Sequence, residues 1–468
     1  MSTVDLRRLA SDRPVHFVGI GGAGMYALAE LLIRSGVRVS GCDLKDSQVL
    51  RELAALGGGV LVGHDPSHAE GAAALVVTSA VSQDHPELVA ARERGIPVMK
   101  RAQALGAWVN TGTVVAIAGT HGKTTTTAMT TEILATAEKD PTGLVGGRVT
   151  GWNGNLRYGS DELFVVEADE YDRSFLTLTP DIAVVTSVEA DHLDIYGDLD
   201  GVRRGFLDFL AGVRGRGRVI VCGDDPGASS ILPGVGLAGY TYGMEAGSML
   251  RATDVTVAAE STRCVVYEEG HVVGELALTL GGRHNLLNAL AAAAVARTLG
   301  IDWPLIQAAL AKFGGVGRRF EKVGEAQGIV VLDDYAHHPT EITAVLNAIR
   351  EMFGDARLVA VFQPHLYSRT RDFAREFGQA LGLADAVWIT DVFPAREAPI
   401  AGVTGVVVAD AARASGVYDV HYEPSLEALP RALADHLHFG DVVVTLGAGS
   451  IEVVGPELLE TLEEPIHA

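Results

Sequence analysis

Cysteine is scarce, with three residues (Cys42, Cys222 and Cys264) in a chain of 468. They lie far apart, in an odd number and in no metal-binding spacing. A disulfide framework is therefore excluded, and the three read as small buried hydrophobes in a reducing compartment. Aromatic residues reach only 6%. Alanine, valine, leucine and glycine dominate instead, a balance that suits an α/β protein with buried parallel strands. No charge-free apolar run is 18 residues long, which argues against a membrane-spanning helix. Residues 1–8 lack the apolar core of a secretion signal, so a cytoplasmic location is expected. Basic residues are outnumbered 37 to 59, for a net charge of −22. That balance excludes a nucleic-acid scaffold, which needs a concentrated basic face. It leaves anionic small molecules open, because a few arginines, lysines and helix N-termini reverse the field locally. Neither nucleic acid nor membrane is expected as a partner. Internal repeats and low-complexity segments are absent as well.

What the chain does contain is apolar material, 48% of its residues, and a length suited to about three domains of ~150 residues each. Its organising stretch runs V-V-A-I-A-G-T-H-G-K-T-T-T-T over residues 114–127. A β-branched run stops at a glycine turn, and a lysine followed by threonines opens a helix. Backbone N–H groups of Gly119, Thr120, His121, Gly122, Thr124 and Thr125 can cradle phosphate oxygens, with Lys123 as a point charge. The full phosphate-loop pattern wants glycine where Ile117 stands, so the match is to a shortened loop.

Upstream, a strand at residues 15–18 feeds Gly19, Gly21 and Gly24. A helix and a second strand follow, and that strand ends on Asp43, 19 residues past Gly24. This is the βαβ fingerprint of dinucleotide binding, with Asp43 placed to accept from a ribose hydroxyl; the alternative is a glycine-rich turn in a plain α/β unit. Strands at 74–78 and 96–99 alternate with helical stretches and imply a parallel sheet.

Downstream of the phosphate loop, a strand at 163–166 ends on Glu167, Asp169 and Glu170. Acids at the end of a buried strand beside a phosphate loop are where Mg²⁺ ligands sit; a solvated acidic turn is the other reading. The strand at 182–187 runs into Glu189, Asp191 and His192, and the histidine reads as metal ligand, general base or structural hydrogen-bonding group. Short strands between 253 and 280 suggest an antiparallel patch. Asn285 and Asn288 share one face at the start of an alanine-rich helix. They suit a purine edge or a helix cap, and spacing alone favours the cap. A glycine-rich hinge at 313–317 precedes Arg318 and Arg319. Beyond it, strands at 329–333, 358–362, 386–391 and 441–446 form another α/β domain, with Asp334, Tyr335, His337, His338, His365 and Arg369 at strand ends, where open sheets bind ligands. A zinc site from His337, His338 and His365 is not favoured, since neither cysteine nor an H-x₃-H pair accompanies them.

The ordered set of motifs G-I-G-G-A-G-M, G-T-H-G-K-T-T-T, E-A-D-E, E-A-D-H, G-R-H-N-L-L-N, G-R-R-F, D-D-Y-A-H-H-P and F-Q-P-H resembles the Mur ligases of bacterial cell-wall synthesis over nearly the whole chain, and among them the alanine-adding members. The resemblance implies three domains: an N-terminal Rossmann-like domain for UDP-sugar at 1–106, a central P-loop ATPase-type α/β domain at 107–315, and a C-terminal Rossmann-like domain at 316–468 that closes on nucleotide and amino acid. It implies ATP-dependent conversion of the lactyl carboxylate of UDP-N-acetylmuramate to an acyl phosphate, followed by attack of the L-alanine amine, with ATP and Mg²⁺ required. Gly19, Gly21, Gly22, Ala23, Gly24, Met25 and Asp43 would serve the UDP-sugar. Lys123 would neutralise the β/γ-phosphates, Thr124 and Glu167 would hold Mg²⁺ on ATP, and His192 a second Mg²⁺. Asn285 and Asn288 would flank adenine, against the spacing-based preference. Arg319 and Asp334 would meet the nucleotide, and Tyr335, His337, His365 and Arg369 would line the pocket for L-alanine and the muramyl group. A monomer or weak homodimer is expected.

One position departs from the pattern. Tyr171 stands where many alanine-adding members carry serine, and E-Y-D also occurs in the related murein-tripeptide recycling ligase, which is the runner-up. From other classes, an NAD-dependent oxidoreductase using the first glycine loop and a non-enzymatic nucleotide switch are the alternatives.

Overall fold

A computed structural model describes residues 6–78, 81–152, 154–236, 239–258, 261–395 and 397–463. Three sheets organise them. The first has five parallel strands: β1 (Val15–Val18), β2 (Val39–Asp43), β3 (Gly59–Val62), β4 (Ala74–Val77) and β5 (Val98–Lys100), in the order β3-β2-β1-β4-β5. Strand β1 is buried at all four positions, as expected for a central strand covered on both faces.

The second sheet has ten strands: β6 (Thr113–Ala118), β7 (Thr142–Val149), β8 (Gly154–Arg157), β9 (Leu163–Glu167), β10 (Ile182–Val185), β11 (Arg218–Cys222), β12 (Gly239–Gly243), β13 (Leu250–Ala258), β14 (Ser261–Glu268) and β15 (His271–Leu278). Their order is β15-β14-β13-β12-β11-β10-β6-β9-β7-β8. Strand β6, V-V-A-I-A after its first residue, is fully buried between β9 and β10 and parallel to both. The loops after Ala118, Glu167 and Val185 therefore leave one sheet edge side by side. That is the edge at which parallel α/β sheets bind ligands.

The helix Lys123–Thr136 that follows β6 buries Thr124 to Thr131 almost entirely. Buried hydroxyls need partners. Thr127, Thr130 and Thr131 each donate to the carbonyl four residues back, at 2.7–2.8 Å, so a threonine-rich face enters the core without an unpaired group.

The third sheet holds β16 (Glu321–Ala326), β17 (Ile329–Asp334), β18 (Leu358–Phe362), β19 (Ala386–Ile389), β20 (Asp419–Tyr422) and β21 (Val442–Leu446), in the order β16-β17-β21-β18-β19-β20. Only β16 runs antiparallel to its neighbour. By internal packing the chain forms two compact units, residues 1–255 with 263–278 and 285–314, and residues 256–262 with 279–284 and 315–468. The first unit contains the five-stranded sheet and most of the ten-stranded one. Within it the helix Arg101–Val109 crosses position 106, and a side chain on Gly106 would collide with the Thr177 carbonyl. Thr177 in turn donates to Ala102 O at 2.9 Å, and Asn155 Nδ2 donates to Ala23 O at 2.8 Å. No helix among the described residues is long and apolar enough to cross a membrane.

The turn after β9 is anchored by aromatic packing. The Phe175 ring stacks on Phe209 at 5.0 Å and meets Phe206 edge-on at 5.4 Å, and all three are buried. Truncating a buried phenylalanine removes transfer free energy and leaves a cavity, so Phe175→Ala is expected to cost about 3–5 kcal/mol. Urea unfolding followed by circular dichroism measures this as a lower midpoint; an unchanged midpoint would show that the cluster does not hold the turn.

Candidate active site

The phosphate loop is shaped by two glycines with positive φ, Gly119 at 139° and Gly122 at 79°. At Gly119 a side chain would run into the Thr186 hydroxyl, and at Gly122 into the Asn288 carboxamide. The loop is pinned to the end of β10, where Thr120 N donates to Ser187 O at 3.0 Å and His121 N to Ser187 Oγ at 2.9 Å. Thr120 Oγ1 accepts from Glu189 N at 2.9 Å, and His121 Nε2 lies 3.5 Å from the Glu189 carboxylate. Gly122 then caps the helix in the left-handed conformation. Because the first N–H groups of a helix have no intrahelical acceptor, this terminus favours an anion at Lys123, Thr124 and Thr125.

Lys123 Nζ reaches back over its own loop to Gly119 O (2.6 Å) and Thr120 O (3.1 Å), and forms an ion pair with Glu170 at 2.9 Å. Burial disfavours its charge, but Glu170 and Asp169 outweigh burial and hold the ammonium above the ordinary lysine range. Burial pushes the Glu170 carboxyl up, to about 7, against the pull of Lys123. His192 extends the cluster: its Nε2 is 3.8 Å from Glu170 and 3.7 Å from Asp191. The Tyr171 ring meets His192 edge-on at 5.2 Å, and Tyr196 Oη donates to Glu170 O at 2.7 Å. The lysine is thus joined to a histidine through one buried carboxylate.

Glu167 lies at the same edge. Its Oε2 accepts from Gly146 N at 2.6 Å, and its side chain is half-buried. It lines a cavity of about 210 Å³ with Gly24, Arg101, Gly146 and Asp169, and a second cavity of about 310 Å³, lined by Lys100, Asp169, Tyr171 and Arg173 among others, shares Arg101 and Asp169 with it. The acidic edge of β9 and the first glycine loop therefore face common space.

In that first loop Asp43 Oδ2 accepts from Gly21 N at 2.9 Å and Oδ1 from Leu44 N at 2.8 Å. Asp43 thereby holds the loop in shape. Gly19 takes φ +77°, and a side chain at Gly24 would press on the Arg101 guanidinium at 3.1 Å. Ala23 and Met25 open the helix Ala23–Arg34, preceded by Gly22 as its cap. Arg101 was not singled out by the motifs; the one signal for it is the Lys100–Arg101 pair at the end of β5.

Asn285 and Asn288 are the third and sixth residues of the helix Arg283–Thr298, and both are buried, so Asn288 lies past the cap position. Asn288 Oδ1 accepts from Thr126 Oγ1 at 3.2 Å, so this asparagine fixes the phosphate-loop helix.

In the second unit several strand-end residues gather as a cluster. Asp334 Oδ2 accepts from Phe320 N and Oδ1 from Ala336 N, each at 2.7 Å; burial drives its carboxyl up to about 6 although Arg319 and these donors oppose it. The Arg319 guanidinium lies 4.8 Å over the Tyr335 ring and 4.0 Å from Glu341. His337 contacts Tyr335 edge-on at 5.3 Å and His365 at 5.6 Å, and buried Arg369 lies 3.4 Å from His365 Nδ1. Arg318, next to Arg319 in the chain, is spent on structure, donating to Asp333 (2.9 Å), Gly447 O (2.7 Å) and Gly449 O (3.2 Å).

His284 in this unit is kept neutral down to about pH 4, first by burial and then by Arg319. A depressed histidine supports the fold above its ordinary value near 6.5 and loses that support as acid forces the proton on. The unfolding midpoint should therefore fall between about pH 6.5 and 4, and His284→Gln should flatten this fall; parallel curves for the two proteins would contradict it.

Three family models match the chain: the Mur ligase family catalytic domain over residues 14–113, the Mur ligase middle domain over 117–296, and the Mur ligase glutamate ligase domain over 318–449. A curated relative, the UDP-N-acetylmuramate–L-alanine ligase of Anaeromyxobacter sp. (strain Fw109-5), is 46% identical across 97% of this chain and 99% of its own. Among solved structures, the UDP-N-acetylmuramate-alanine ligase of Thermotoga maritima superposes with a TM-score of 0.81 at 29% identity, covering 96% of this chain and 99% of that one. A murein peptide ligase from Psychrobacter arcticus superposes with a TM-score of 0.72 at 25% identity, covering 97% and 100%.

Proposed function

The chain belongs to the Mur ligase family, and from that premise we propose that it is an ATP-dependent ligase that joins L-alanine to the lactyl carboxylate of UDP-N-acetylmuramate in peptidoglycan precursor synthesis. The observation that carries the chemistry is the phosphate-loop lysine, Lys123, paired with buried Glu170 beside His192, at the sheet edge where Glu167 and Asp169 line one cavity with Gly24. An NAD-dependent oxidoreductase is set aside on the same premise.

The lactyl carboxylate attacks the γ-phosphorus of ATP, the bond to the β-phosphate oxygen breaks, and ADP leaves an acyl phosphate. The neutral amine of L-alanine then attacks the acyl carbon, and the tetrahedral intermediate expels phosphate and gives the amide. Two anions must approach for the first step, so positive charge fixed in a water-poor site lowers its barrier. Lys123 supplies that charge at the β/γ-phosphates, and the helix N-terminus at Thr124 and Thr125 binds phosphate oxygens. Thr124 and Glu167 would hold one Mg²⁺ through oxygen donors of the kind it prefers and His192 a second, and such ions would supply charge that offsets the phosphates. Asn285 and Asn288 are assigned to adenine, and Arg319 and Asp334 to the nucleotide. Tyr335, His337, His365 and Arg369 are assigned to L-alanine and the muramyl group, and the loop at Gly19–Met25 with Asp43 to the UDP-sugar. The enzyme acts in the cytoplasm, as a monomer or weak homodimer.

Tyr171, set against His192, gives a specific reason to test the murein-tripeptide ligase as well. Phosphate release from ATP and UDP-N-acetylmuramate separates the two: stimulation by L-alanine and not by the tripeptide is expected, the reverse would transfer the assignment, and no stimulation by either would sink the ligase reading. Lys123→Ala should abolish turnover and leave UDP-sugar binding, followed by calorimetry, within about twofold of wild type; loss of both would contradict separate grips for the two substrates.

A further inference from the structure

A second constellation is built on the first sheet and the segments that follow its strands. His16 on β1, Cys42 at the end of β2, His64 and His68 after β3, and Glu87 at the start of the helix Pro86–Glu93 converge on one point. His16, Cys42 and Glu87 are wholly buried. Cysteine spacing along the chain gave no sign of this, because each donor comes from a different element of the βαβ fold. Cys42, expected to be a plain hydrophobe, is the polar centre of the group.

We propose that His16 Nε2, Cys42 Sγ, His68 Nδ1 and Glu87 bind one Zn²⁺-class cation. The four donors lie within 4.8 Å of one another. A tetrahedral ion with bonds of about 2.0–2.3 Å separates its ligands by roughly 3.3–3.6 Å. Here Cys42 Sγ is 3.7 Å from His16 Nε2 and 3.3 Å from Glu87 Oε2, His16 Nε2 is 3.0 Å from Glu87 Oε2, and His68 Nδ1 is 3.4 Å from Glu87 Oε1. These four pairs stand close to the required spacing, with Glu87 meeting His68 through Oε1 and the other two donors through Oε2.

Two further features favour an ion over a closed hydrogen-bond network. His68 Nδ1 is buried without a hydrogen-bond partner, and orphaned buried nitrogens are costly. Among the described residues no lysine or arginine pairs with Glu87. The two oxygens of Glu87 meet His16, Cys42, His64 and Asp65 N at 3.0–3.3 Å, and a divalent cation would compensate their charge. His16 is also pre-aimed, since its Nδ1 lies 2.9 Å from Ser40 Oγ and leaves Nε2 directed at the site. Mixed sulfur, nitrogen and carboxylate donors suit Zn²⁺ and not Mg²⁺. On binding, the Cys42 S–H bond breaks, a sulfur–metal bond forms, and the proton passes to solvent. Cys42 precedes Asp43, which holds Gly21, so the ion braces the floor of the first glycine loop.

The full-length protein, stripped with chelator and dialysed against Zn²⁺ with Mg²⁺ in excess, is expected to retain one Zn²⁺ per chain. Co²⁺ in its place should show thiolate-to-cobalt charge-transfer absorption that Cys42→Ser removes and Cys222→Ser keeps. Losing a direct ligand should weaken Zn²⁺ by more than the roughly 10- to 100-fold that loss of an outer partner costs. Should Cys42→Ser fold poorly, His68→Gln carries the same affinity readout at a partly exposed position. Absence of the absorption in the wild type, or unchanged affinity in both variants, overturns the proposal.

Discussion

Moving an ammonium group out of water is expensive, and the phosphate loop is arranged around the one way this chain tolerates it. Lys123 is surrounded by two carbonyls of its own loop and by the buried carboxylate of Glu170, so its charge is met by fixed dipoles and one anion in place of water. That arrangement requires β6 to lie between β9 and β10, because Glu170 follows one and His192 follows the other. The all-apolar sequence of β6 secures the central position, since only a strand covered on both faces can be apolar at every residue. The sheet order is thus tied to the electrostatics of a single side chain. Fixed groups of this kind need not reorganise when phosphate charge develops, which is the main source of their catalytic value.

The first glycine loop obeys a different constraint, that of close approach. Asp43 is engaged by Gly21 and Leu44, so the acid sets the loop's shape. Arg101 lies over Gly24 and 3.9 Å from Asp169. A guanidinium between a glycine loop and an acidic strand end attracts an anionic sugar nucleotide and keeps its charge apart from the acids. The strong negative charge of the whole chain is compatible with anionic substrates because such positive groups are placed locally.

Much of this was legible from residue order alone. The strand, turn and helix around Gly119 to Thr125 and the βαβ unit ending on Asp43 both appear where the pattern put them, because steric demands at glycine and burial of β-branched runs are local. Six strands escaped notice, among them Gly59–Val62, which is largely exposed, Thr142–Val149, which is diluted by three glycines, and Glu321–Ala326, a polar edge strand. Within the site, sequence put Glu167, Asp169 and Glu170 at one strand end without saying which of them meets the lysine, and Glu170 makes that contact. The run E-A-D-E contains all three, and which acid turns inward depends on the loop's path. Arg101 and the group around Glu87 left even less trace, since their partners arrive from strands and turns far apart in the chain.

The meeting of Gly122 with Asn288 carries an evolutionary consequence. There is no room at Gly122 for a methyl group, and the asparagine that fills the space also orients Thr126. Positions 122 and 288 therefore cannot drift independently: a larger residue at one is viable only with a smaller one at the other, and that exchange leaves Thr126 without its acceptor. Across descendants of this sequence the two sites should behave as a single inherited character, although 166 positions separate them.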